Sequence, residues 1–177
     1  VRLFEEDKRP LHALVNNAGV LVWGGIHHTT ADQWRQVMKV NLEGPFLITK
    51  ALLPALERAE GASVVNISSI AALQPGTSIS YSAAKAGLDM VTQYLAGELG
   101  PMKIRVNSVN PGLIATNLHM DNQVVNSREE YQSMLEKSAA KYPLGRIGKP
   151  EDIASLIKFL ISEESGWITG SIIKADG

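Results

Sequence analysis

Short apolar runs rich in β-branched residues alternate along the chain with longer stretches of helical period, the pattern of βαβ units around a parallel sheet. The runs "LHALVNN" (11–17), "ASVVNIS" (62–68), "IRVNSVN" (104–110) and "GSIIKA" (170–175) predict strands. Each of the first three runs apolar and then ends in Asn, Ser, Pro or Gly. In open α/β sheets ligands bind outside the carboxyl ends of the strands, so chemistry is expected there.

Between the first two runs, Thr30 and Gln33 stand at capping-box spacing ahead of an apolar stripe through Trp34, Val37, Met38 and Leu42, which predicts a long helix over 30–60. Another helix is predicted over 79–100, with Leu88, Val91, Leu95 and Leu99 as its buried stripe and Gly100-Pro101 as its stop. Its small residues Ala83, Ala84, Ala86 and Gly87 permit close approach by a neighbour. A further helix follows "SREE" (127–130), and the last begins at Pro150 with Ile153, Leu156, Ile157 and Leu160 facing inward.

Composition narrows the function. The 177 residues suit one domain, 1–177, without repeats or a low-complexity linker. A net charge of -1 gives no electrostatic case for nucleic acid or an anionic membrane. The absence of cysteine excludes disulfides and thiol chemistry. No apolar run approaches the roughly 20 residues needed to span a bilayer, and "VRLFEEDKRP" lacks a signal peptide's apolar core, so a cytoplasmic location is expected. His27 and His28 are adjacent, point different ways and have no Cys or spaced carboxylate to complete a metal site; a loop is expected there and no metal.

The stretch "YSAAK" places Tyr81 and Lys85 one above the other on a helix face. A lysine beside a tyrosine favours the phenolate, which lowers a pKa of about 10 and suits the phenol to proton transfer near neutral pH. Pro45 lies four residues after Asn41 and has no N–H, so the Asn41 carbonyl loses its helical partner and a kink is expected. A carbonyl freed in this way can hold a water.

In chain order, "NNAG" (16–19), "VNLEGPF" (40–46), "NISS" (66–69), "YSAAK" (81–85), "NPG" (110–112) and "PLGRIGKPEDIA" (143–154) resemble the motifs of the classical short-chain dehydrogenase/reductase family, from about Leu11 to Gly177. The resemblance implies a Rossmann-like, doubly wound parallel α/β sheet and NAD(P)-dependent interconversion of a secondary alcohol and a ketone. It implies Asn41, Ser69, Tyr81 and Lys85 as catalytic residues: Tyr81 as acid/base, Lys85 as its electrostatic partner and holder of the nicotinamide ribose, and Ser69 as hydrogen-bond partner of the substrate oxygen. Asn41 matches the residue whose carbonyl holds the water of the family's proton relay. One residue fewer than usual separates the serine from the tyrosine, which leaves Ser68 open. For the cofactor, NAD or NADP, it implies Asn16, Ala18, Gly19, Tyr81, Lys85, Pro111, Gly112, Ile114 and Thr116. Small residues in "NNAG" admit the cofactor while the asparagines tie strands; Ile114 offers backbone groups to the carboxamide, and Thr116 reaches the amide or phosphates.

The family's glycine-rich turn does not occur before Asn16, and "KADG" resembles the family's closing "VDGG" cut at Gly177. The expectation is therefore the C-terminal two-thirds of such an enzyme, with the flank of the first strand an unpaired edge. The alternative is a truncated, non-catalytic relative that serves as a binding or assembly partner. The expected partners are a small alcohol or carbonyl substrate, governed by the loop after "NNAG" and by 117–142 with Trp23, Leu118, His119, Met120 and Tyr131. Further copies of the chain are expected to pair through the two long helices as a dimer or tetramer.

Overall fold

The computed structural model describes residues 6, 8–76, 78–118, 122 and 127–177. Its four strands are β1 (Ala13–Asn16), β2 (Ser63–Ile67), β3 (Arg105–Pro111) and β4 (Ile172–Ala175). They lie in that order, all parallel, with Asn16 beside Asn66 and Asn66 beside Ser108. Each falls within a run predicted from the β-branched pattern, or within one residue of it. β1 forms one edge of the sheet, and Val15 there remains 37% exposed. Parallel strands covered on both faces read as continuous apolar runs, and β2 is buried from Ser63 through Asn66.

The helices are α1 (Ala31–Met38), α2 (Gly44–Glu57), α3 (Ile79–Leu99), α4 (Arg128–Ala139) and α5 (Pro150–Ile161). One face of the sheet packs Val64 and Val106 against Leu56 of α2 and Ala96 and Leu99 of α3. On the other face Val65 and Val109 meet Ile153 and Leu160 of α5. None of the helices among the described residues is long and apolar enough to cross a membrane.

Local signals account for the helix ends. Thr30 and Gln33 form the reciprocal capping box, with bonds of 2.9 and 3.2 Å. Ser127 caps α4 by accepting the Glu130 N–H. Pro150 opens α5, where no N–H is needed, and the Asp152 carboxylate accepts the Lys149 N–H at 2.8 Å. Between α1 and α2 the chain does more than kink. Lys39–Glu43 widen into a π-turn, with the Gly44 N–H reaching back to Lys39, and Pro45 falls in the first turn of α2.

The buried stripe of α3 is rotated from the expected one. Leu88 and Leu99 are buried as predicted, but Val91 and Leu95 are only partly covered. Ala84, Lys85, Asp89, Thr92 and Ala96 face the sheet instead. Polar residues are tolerated there because strand-end side chains bond them. The small residues have the expected effect: a side chain at Gly87 would lie 3.0 Å from Leu42, so α3 and the π-turn nest closely.

A belt of buried hydrogen bonds joins the two strands to the two helices. Asn16 Nδ2 donates to Asn66 Oδ1 at 2.8 Å and to Thr49 Oγ1 at 3.2 Å, while Asn66 Nδ2 donates to Thr92 Oγ1 at 2.8 Å. Asn66→Ala removes the centre of the belt and leaves a void at a position only 1% exposed. Urea denaturation of the full-length protein is expected to show a loss of about 2–4 kcal/mol.

Candidate active site

The carboxyl ends of β1, β2 and β3 bring most of the predicted residues together. β2 ends at Ile67 and hands the chain to Ser68 and Ser69, facing the first turns of α3 where Tyr81 and Lys85 stand. Ser78 starts that helix: its hydroxyl accepts the Tyr81 N–H and donates to the Val22 carbonyl. Ile79 N–H bonds the Gly24 carbonyl at 3.0 Å, so the loop carrying Trp23 is stitched to the helix just ahead of Tyr81.

Lys85 is buried, and its Nζ donates to the Ile67 carbonyl at 2.7 Å. The same Nζ lies 5.4 Å from the centre of the Tyr81 ring. Burial lowers the lysine pKa to about 8, against the pull of Asp89, which favours the ammonium. Burial also pushes the Tyr81 phenol above its ordinary value, and a hydrogen bond with Ser69 works in the opposite direction. The sequence pair alone suggested a lowered phenol. Desolvation outweighs the Ser69 hydrogen bond here, and the Lys85 Nζ donates to a main-chain oxygen.

The two serines differ in environment. Ser68 is buried, with its hydroxyl donating to the Lys85 carbonyl at 3.2 Å. Ser69 is only half-buried; its Oγ accepts the Ala71 N–H at 3.1 Å and faces the phenol. A hydrogen bond that lowers the phenol's pKa has the Ser69 hydroxyl as donor to the phenol oxygen.

Asn41 is fully buried, and its side chain contributes something that the sequence expectation, centred on its carbonyl, did not include. Oδ1 accepts the Val20 N–H at 3.0 Å and Nδ2 donates to the Val20 carbonyl at 2.7 Å, clamping the loop after β1 to the π-turn. A Cβ on Gly19 would stand 2.9 Å from that Oδ1, so the clamp itself requires a residue without a side chain. The Asn16 side chain is committed to the polar belt, leaving only its main chain for a ligand, whereas Ala18 is exposed.

Beyond β3, Gly112 donates to the Ala175 carbonyl at 3.0 Å, and a Cβ there would come within 3.0 Å of the Asp176 main chain. Pro111 ends the strand just before this approach. Gly148 pairs beside Ile114 through the Leu113 carbonyl and the Ala115 N–H, so the ladder does not use the N–H and C=O of Ile114 itself. Thr116 is held by Tyr131, whose hydroxyl donates to its carbonyl at 2.7 Å and accepts its N–H at 3.1 Å. The cofactor residues expected from the sequence stand at or just beyond the carboxyl ends of β1 and β3, and of these Gly19 lies beside Lys85, where a Cβ would fall 3.9 Å from Nζ. His27 and His28 sit in an exposed turn, as expected. His119 and Met120 lie outside the described residues.

Sequence reasoning missed Asp89, Ser108 and Gly148. Asp89 is the next residue on the Lys85 face of α3, and that spacing was the available signal.

A family model described as enoyl-(acyl carrier protein) reductase matches residues 1–177. An inactive 2-(S)-hydroxypropyl-CoM dehydrogenase from Xanthobacter autotrophicus is 40% identical over 170 residues, covering 95% of this chain and 73% of its own. The ligand-free aldohexose dehydrogenase of Thermoplasma acidophilum superimposes with a TM-score of 0.90 at 31% identity, covering 99% of this chain and 69% of that one. A 4-hydroxyisoleucine dehydrogenase complexed with NADH gives 0.82 at 30%, covering 99% and 72%. The chain spans 73%, 65% and 60% of the length of three curated relatives.

The depressed lysine has a consequence for stability. Between about 8 and the ordinary 10.5, the unfolded chain binds a proton on Lys85 that the folded chain has released, so stability rises with pH through that window. Below it the full penalty of a buried ammonium applies. Lys85→Met is expected to stabilise the full-length protein by about 1–3 kcal/mol at neutral pH, after the lost bond to Ile67 is counted. Urea titrations at pH 7 and above pH 9 should show that gain shrinking as the solution becomes alkaline.

Proposed function

The chain belongs to the classical short-chain dehydrogenase/reductase family, and from that premise we propose that its protein interconverts a secondary alcohol and a ketone with NAD or NADP. The observation that carries the proposal is the meeting of Ser69, Tyr81 and Lys85 at the end of β2, with the phenol against the serine hydroxyl and the ammonium 5.4 Å from the ring. When bound, the nicotinamide supplies or takes up the hydride. In reduction Tyr81 would give its proton to the substrate oxygen, and in oxidation it would take that proton back. Ser69 donates its hydroxyl to the substrate oxygen and stabilises the charge that grows there.

Lys85 has three N–H donors and gives one to Ile67, which leaves two for the nicotinamide ribose and the phenol side of the site. Ala18, Gly19, the Asn16 main chain, Pro111, Gly112 and Thr116 line the cofactor's approach. The free main-chain groups of Ile114 suit a carboxamide, which needs one donor and one acceptor. Asn41 fixes the wall of the site through Val20, and its place in the π-turn suits the proton relay that the family uses. A small alcohol or carbonyl compound would enter past Trp23, which is 47% exposed beside the start of α3.

Two expected outcomes test this. A phenol held above its ordinary pKa stays protonated at neutral pH, so reduction should be nearly independent of pH there, whereas oxidation should climb about tenfold per unit as the phenolate forms. Absorbance assays of the full-length protein with both nicotinamide cofactors and a panel of alcohols and ketones read this directly. Tyr81→Phe should lower both rates by about 100-fold or more and remove the pH limb. Substantial activity with the limb intact would return Tyr81 and Lys85 to neighbours on a helix.

The second outcome concerns assembly. Trp34, Met38, Leu42, Phe46 and Val91 line an apolar groove across α1, α2 and α3, and Met90 and Tyr94 project alongside at 63% and 72% exposure. A second copy pairing its helices here covers that surface, giving a dimer or tetramer. Light scattering that finds a stable monomer at micromolar concentration rejects it.

A further inference from the structure

Asp89 is 8% exposed, one helical turn beyond Lys85 on the face of α3 that meets the sheet. A carboxylate in that position needs donors, and β3 supplies them. Ser108 donates its hydroxyl to Oδ1 at 2.8 Å, and Asn110 donates Nδ2 to Oδ2 at 2.7 Å. Ser108 and Asn110 are themselves fully buried. The same Asn110 nitrogen donates to the Ser69 carbonyl at 3.0 Å. One connected path therefore runs from α3 through β3 to the residue after β2 that faces the phenol.

We propose that Asp89 is a positioning residue of this site: through Asn110 it fixes the main chain of Ser69, and its charge steadies the ammonium of Lys85 one turn away. The proposal rests on the reaction assigned above and adds a residue to it.

Each half follows from the geometry. Ser69 is held at its carbonyl by Asn110 and at its Oγ by the Ala71 N–H, which orients the hydroxyl towards Tyr81. Without Asp89 the Asn110 amide is held only through its Oδ1, which the Ser108 hydroxyl reaches at 3.1 Å, and through Ser69 itself, so one of the two restraints on Ser69 loosens. For the charge, the groups around Lys85 among the described residues are few. α3 brings Tyr81 and Asp89, β2 brings the Ile67 carbonyl, and the loop after β1 and the π-turn bring Gly19 and Asn41, which do not titrate. Facing Asp89 from β3 are Ser108 and Asn110, both uncharged. Among the described residues Asp89 is the one anion acting on Lys85, consistent with its upward pull on a lysine that burial drives to about 8.

Two variants separate the two halves. Asp89→Asn removes the charge and one of the two acceptor oxygens that Ser108 and Asn110 use; Asn110→Ala keeps the charge and cuts the path to Ser69. In the full-length protein, lysine labelled with carbon-13 at Cε lets the Lys85 titration be followed by NMR without turnover, with Lys85→Met identifying the signal. D89N should move that midpoint down by about one pH unit or more, because an opposite charge has gone. It should also lower kcat about tenfold or more through loss of alignment, with little change in KM. N110A should lower kcat similarly and leave the Lys85 titration where it was. An unchanged Lys85 midpoint in D89N, or a parental kcat in N110A, overturns the proposal. If D89N does not fold, the kcat of N110A alone decides. A parent protein with no turnover refutes the assigned reaction instead, and the titration still decides whether Asp89 steadies Lys85.

Discussion

A buried ammonium must be surrounded by oxygen, and the site takes its shape from how the need of Lys85 is met. The oxygen that Nζ bonds is the Ile67 carbonyl, on the last residue of β2. For Nζ to reach it, α3 must lie across the strand end with its polar side inward, which buries Asp89 and Thr92 beside Lys85. Those residues in turn require partners, found on β2 and β3 at Asn66, Ser108 and Asn110. The polar belt under the site is thus a chain of obligations that begins with one charge. Each member costs stability unless its neighbour is present, so the belt is specific as well as strong.

The same logic sets the register of the loops. Tyr81 is placed by a helix whose first turn is capped by Ser78, and Ser78 also holds Val22. The wall opposite is placed by Asn41, whose amide copies the pairing of a strand against Val20. Helix start and π-turn therefore share one loop between them, and the mouth of the site is fixed from both sides.

Much of this was legible in the sequence. The strands stood out because β-branched runs buried on both faces have few other uses, and Tyr81 with Lys85 stood out because i,i+4 spacing places them on one face. The capping box at Thr30 and the stop at Gly100-Pro101 are local signals and held as such. What stayed hidden needed the third dimension. Asp89 looks like a solvated charge on an amphipathic helix until β3 brings Ser108 and Asn110 against it. Hydrophobicity alone points to a stripe through Val91 and Leu95; Leu95 does pack against the core, but the belt brings Asp89 and Thr92 to the sheet and leaves both apolar residues only partly covered. Asn41 was read through its main chain, since nothing in the sequence says which residue its amide will meet. The phenol was expected to be acidified by its neighbour, because spacing reports proximity and says nothing of burial.

The fit between Gly19 and Asn41 makes the two positions a single steric unit. With 2.9 Å between Oδ1 and the place a Cβ would occupy, the two positions behave as a single character. A methyl group at 19 is admissible only once the side chain at 41 is shorter, and a shorter side chain at 41 releases Val20. Each single replacement leaves a misshapen wall, so the geometry of the loop rests on both residues at once.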